Sequence, residues 1–124
     1  VVLLQITGLP TATVIKRTQF LSGVFTAGAV EAAFTNYSRQ VIVGGGITIS
    51  VNTGTDVVTL DTSNVVIGAA GGALNNNLGK LLLCYKPTSS TADSAIPVLT
   101  AHDFTASTTG GTLTATITAI ATAT

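Results

Sequence analysis

A chain of 124 residues with only 8% charged side chains, five basic against five acidic, fits one folded domain and has no net field to steer a polyanion. Only Lys16 and Arg17 are adjacent cations and the aromatics are few, so neither a basic stripe nor a base-stacking platform forms, and nucleic acid is not an expected partner. No run of about 18 apolar residues and no basic amphipathic helix occurs, so no membrane partner is expected either.

Soluble proteins average about 25% charged residues, so Thr, Ser, Asn and Gly must cover most of this surface. Such a neutral shell favours close association between surfaces, and assembly is the natural expectation. A single cysteine, Cys84, rules out an intrachain disulfide and fits folding in a reducing cytoplasm.

Residues 1–12 read as an extended N-terminal arm ahead of a single β domain over 13–124. Val1, Val2, Leu3, Leu4 and Ile6 are its candidate partner-contact residues, and Gly8-Leu9-Pro10 punctuates the backbone after them. An apolar terminal strip forms either an edge strand of its own sheet or a strand offered to a neighbour. From Thr26 to Phe34 the sequence predicts the one short helix of the chain, capped by Thr26 and weakened by Gly28.

Beyond that helix β-branched residues dominate. Val41–Val43 and Ile47–Val51 read as strand pieces flanking a bend at Gly44-Gly45-Gly46, and Asn52-Thr53-Gly54 turns the chain into a strand over Asp56–Leu60. Val65–Ile67 opens another strand, and Gly68–Asn77 reads as a loop. Leu78–Tyr85 is the most apolar strand and belongs at the centre of the core. Pro87–Ala95 is a polar loop before a short strand over Ile96–Leu99, with Pro97 expected at a strand start or edge. Thr112–Ile120 alternates Thr with apolar residues, as a half-buried strand with Thr outward does. Seven or eight short strands with regular turns predict a mostly β fold, a small sandwich or barrel.

The chemistry-bearing residues are sparse. One His and one Cys cannot close a zinc site, and Asp56 and Asp61 match no calcium loop and read as turn residues. His102-Asp103 is the only His/acid pair, but neighbours on a strand point to opposite faces, so the carboxylate cannot orient the imidazole. Cys84 sits in an apolar strand as a small buried hydrophobe rather than a thiol nucleophile. The glycine runs lack the Lys-Ser/Thr of a phosphate loop, and Asn36-Tyr37-Ser38 matches a glycosylation sequon short enough to arise by chance. Phe20, Phe25 and Phe34 read as core ahead of binding anchors. No metal, cofactor, small molecule or catalytic activity is expected.

Leu78-Gly79-Lys80-Leu81-Leu82-Leu83-Cys84-Tyr85-Lys86-Pro87, the loop with Asp93-Ser94-Ala95, the run Ile96–Ala106 and the Gly110-Gly111 step resemble the lambda-type head-decoration proteins of tailed phages. The resemblance covers about a third of the chain; the loop lacks the family's Gly, and Leu99 follows Val98 directly. It implies a homotrimer, made in the host cytoplasm, that sits on the exterior of an icosahedral virion. There it would bind the major capsid protein through an N-terminal arm and cement the shell. A self-polymerising pilus, fibre or adhesin subunit, or another virion component, is the alternative that the Thr-rich β pattern leaves open.

Overall fold

In the computed structural model, residues 1–117 and 120–123 are described. The chain is mostly β. Strands β1 (Val2–Gln5), β2 (Ile47–Asn52), β3 (Val57–Thr62), β4 (Val65–Ala70), β5 (Asn77–Cys84), β6 (Val98–Ser107), β7 (Gly111–Ala115) and β8 (Ala121–Ala123) form small antiparallel sheets. Their orders are β1-β5-β6, β2-β3-β8 and β4-β7, and among the described residues no barrel closes.

The sheet β1-β5-β6 is the middle layer. Alternation along β1 sends Val2 and Leu4 to one face and Leu3 to the other, and Leu82 and Leu81 divide in the same way. Val2, Leu4 and Leu82 meet Ile15, Leu21, Val24 and Ile96 on the helical side. On the opposite side Leu3, Leu78 and Leu81 meet Phe34, Val65, Ile67 and Ala115. β5 lies at the centre of this sheet, as its apolar run predicts.

Two short helices, α1 (Ala12–Arg17) and α2 (Leu21–Thr26), and a 3-10 turn at Asp93–Ala95 replace the single expected helix. Thr11 caps α1 by accepting from the Val14 amide, while Lys16 and Arg17 complement its C-terminal dipole. The helix expected over Thr26–Phe34 does not form. Gly28 has φ of +103°, its amide donates to the Phe25 carbonyl, and the Ala29 amide donates to that of Val24. That pair of bonds is a Schellman stop, so Gly28 ends the helix before it instead of weakening one after it.

Other boundaries also move. Val41–Val43 carries no strand, β4 runs on to Ala70, and the short strand expected at Ile96–Leu99 is the start of the ten-residue β6. Pro97 stands just before β6, where its missing donor costs nothing. The alternation expected over Thr112–Ile120 holds from Thr112 to Ile117, with Ala115 and Ile117 buried and the threonines exposed, although β7 ends at Ala115. Thr118 and Ala119 lie outside the described residues.

Candidate assembly surface

The five proposed arm residues take different places. Val2, Leu3 and Leu4 are buried in the chain's own core, Val1 is half-buried, and only Ile6 is exposed. One edge of β1 pairs with β5. The other is closed by the segment after α2: Gln5 donates to the Val30 carbonyl at 2.9 Å, Leu3 accepts from the Ala32 amide at 2.9 Å, and Val1 accepts from the Gln40 amide at 3.2 Å. The Tyr37 hydroxyl accepts from the Leu3 amide at 3.1 Å. Of the two roles an apolar terminal strip can take, this one is a strand of its own sheet. In the folded chain Val2, Leu3 and Leu4 are almost fully buried, at 3%, 2% and 0% exposure.

The closing segment is held by a polar cluster that composition alone did not single out. Arg39 donates to both oxygens of Glu31 at 2.7 Å, and to Asp93 at 2.6 and 2.9 Å. Its guanidinium lies 5.8 Å from the Phe25 ring centroid, and Tyr37 donates to Glu31 at 2.9 Å. The hydrogen bonds from Arg39 hold the Asp93 carboxyl below the usual carboxylate range. Burial, opposed by the Leu3 amide and helped by the Glu31 charge, pushes the Tyr37 phenol above its ordinary value. A planar donor fork that grips two carboxylates from distant parts of the chain is a structural clamp.

The remaining candidates separate in space. His102 and Asp103 point to opposite faces of β6: the imidazole Nε2 lies 2.8 Å from the Thr100 hydroxyl, whereas Asp103 pairs with Lys80. Cys84 stands opposite Val98 and Leu81 opposite His102, which puts the thiol roughly 10 Å along the sheet from the imidazole. Burial pushes the Cys84 thiol up to about 11. Asp56 occupies the exposed β2–β3 turn with φ of +52°, and Asp61 accepts from the Thr62 amide. Phe34 is core, while Phe20 and Phe25 are half-buried. The Asn36 side chain donates to the Ala69 carbonyl at 2.9 Å. Among the described residues no three His, Cys, Asp or Glu gather as a metal ion requires, and no helix is long and apolar enough to cross a membrane.

The hairpin β2–β3 carries exposed apolar side chains along β2. Its six cross-strand pairs are regular, from Ile47 opposite Thr62 to Asn52 opposite Val57, and the Asn52 side chain fixes the turn by accepting from the Gly54 amide. Every residue of β2 is exposed, including Ile49 at 69% and Val51 at 64%. Ile47, Ile49 and Val51 share a face with Val58 and Leu60. At the base of the hairpin a cleft of about 330 Å³ is lined by Val41, Ile47, Cys84, Tyr85 and Leu99 among others. Val41, Val43, Tyr85 and Leu99 are all more than half exposed. Single exposed apolar residues are ordinary, whereas neighbouring ones beside an open strand edge make a candidate contact surface.

Fold and surface together define a small, mostly β protein in which many of the exposed apolar residues lie on the β2–β3 hairpin and around the cleft at its base. Compared with protein-family models, curated proteins and solved structures, the chain matches none.

Proposed function

We propose that this chain is a virion structural protein that decorates an icosahedral phage capsid by docking on the outer surface of the major capsid protein. The observation that carries the reading is the largely apolar cleft with the exposed side chains of Val41, Tyr85 and Leu99 in its lining, on a chain with only 8% charged residues. A cement protein needs neutral apolar contacts and no catalytic group. The docking surface in this reading is the cleft, not the N-terminal strand.

The test is the light-scattering mass of the purified chain alone and after addition to preformed phage shells. A discrete small species that adds to the shell, and that fails to add once Leu99→Asp and Val41→Asp are introduced, is the expected result. A chain indifferent to every shell refutes the reading. Growth into an open-ended polymer without any shell favours the rival, a self-polymerising pilus or fibre subunit, for which the open edge of β2 is the supporting observation.

A further inference from the structure

The outer edge of β2 has a feature that the capsid reading does not use. Edge strands are normally protected by a lysine, a proline, a bulge or a covering segment. β2 reads Ile47-Thr48-Ile49-Ser50-Val51-Asn52, with no charge, no proline and no register shift against β3. Among the described residues, no backbone hydrogen bond from another segment reaches Thr48, Ile49, Ser50 or Val51 on that edge. We infer that β2 pairs antiparallel with β2 of a second copy of this chain, with Ile49 opposite Ile49, joining two three-stranded sheets into one of six strands.

Hydrogen-bond geometry narrows the register. Residues directly opposite in an antiparallel pair are either both hydrogen-bonded or both not, and along β2 this property alternates because β3 already occupies the other edge. A twofold pair therefore places some residue opposite its own copy. With Thr48 opposite itself, Val51 faces Gly45; with Ser50 opposite itself, Ile47 faces Thr53. With Ile49 opposite itself, Ile47 faces Val51 at both ends, so all three apolar side chains of β2 meet apolar partners. That register gains the most from cross-strand pairing.

The charges permit it as well. The charged residues of the hairpin are Asp56 in the turn and Asp61 on β3, and neither lies on β2. In the pair the two β3 strands stand three strand spacings apart, about 14 Å, beyond the screening length of about 8 Å at physiological salt. Five residue pairs make an interface smaller than the roughly 1,000 Å² of stable complexes, so the dimer is weak and concentration-dependent in free solution. An isologous contact closes at two copies, unlike the trimer that the resemblance implies.

The experiment traps the pair by cysteine cross-linking in the Cys84→Ser chain, without any shell. Ile49→Cys places two thiols opposite each other, roughly 5 Å apart at Cβ. Val51→Cys alone leaves them about 14 Å apart along the strands, and Ile47→Cys with Val51→Cys brings them together again. Under oxidised glutathione, the Ile49 variant and the double variant are expected to form covalent dimers, and the Val51 single variant is not. Sedimentation of the unmodified chain is expected to rise toward twice the monomer mass with concentration, and Ile49→Lys to abolish that rise. A monomer at every concentration, or dimers from the Val51 single variant but not from Ile49→Cys, overturns the proposal. Because shells are absent, neither result bears on capsid docking, and Ile49→Lys lies outside the cleft tested there.

Discussion

Removing Arg39 tests whether its clamp holds the fold. Its side chain is 32% exposed, and its partners Glu31 and Asp93 are 25% and 34% exposed, so both pairs feel solvent and count as partly screened ion pairs of about 1 kcal/mol each. Loss of the guanidinium from the Phe25 face adds about 0.5–1 kcal/mol. Arg39→Met is therefore expected to destabilise the chain by about 2–3 kcal/mol in urea unfolding, with Arg39→Lys intermediate because an ammonium cannot fork onto two carboxylates. The pH dependence supplies an independent check. The folded Asp93 carboxyl is held below its unfolded value near 3.9, so its contribution is present above about pH 4 and fades as acid protonates the folded group. The original chain should lose this increment on acidification and Arg39→Met should not. A cost under about 0.5 kcal/mol with identical acid profiles would refute the clamp.

Three further expectations follow from single contacts. Gly28→Ala forces a Cβ into the left-handed region at φ of +103° and should cost about 1–2 kcal/mol by thermal or urea unfolding; a neutral result would sink the Schellman assignment. Tyr37→Phe strips the acceptor from the buried Leu3 amide and should cost about 1–3 kcal/mol, whereas a loss no larger than that of an exposed Tyr85→Phe control would refute the role. The Cys84 thiol, pushed up to about 11, should react with a disulfide reagent near pH 7.5 about a hundredfold more slowly than in the urea-unfolded chain, and equal rates would show that burial does not hold it.

The β character, the central place of Leu78–Cys84, the β2–β3 hairpin and the outward threonines of β7 were legible because each rests on local alternation or a turn signal. The helices were not, since six residues rich in β-branched side chains do not show a helical period; α1 is held by its Thr11 cap and the burial of Ile15. Gly28 was visible but ambiguous, because a glycine interrupts a helix and ends one with the same symbol. Val41–Val43 has strand composition, yet it belongs to none of the sheets among the described residues. The Arg39 clamp joins residues 31, 39 and 93, a separation that spacing along the chain cannot disclose. The exposure of β2 was equally hidden: Ile-Thr-Ile-Ser-Val is the pattern of a half-buried strand, and only the packing shows Ile49 and Val51 to be 69% and 64% exposed.

The N-terminal strand bears on which surface the proposed docking would use. For Val2–Gln5 to leave its sheet and lie on a capsid protein, Val2, Leu3 and Leu4 would have to exchange the chain's own core for another. Exposing three such side chains costs roughly 1.5–3 kcal/mol each, or about 5–9 kcal/mol in all, which approaches the whole stability of a domain this size. An arm that docks must be cheap to release, and this one is not. Leu4→Ala separates the roles: as a core residue with 0% exposure it should cost about 2–5 kcal/mol in unfolding of the free chain. If docking is through the cleft, as proposed, the variant should keep its affinity for shells under conditions where it is still folded, because the cleft is intact. If Leu4→Ala instead leaves stability within about 0.5 kcal/mol and abolishes shell binding, the strand is an arm after all, and docking would have to be assigned to it rather than to the cleft at the base of the hairpin.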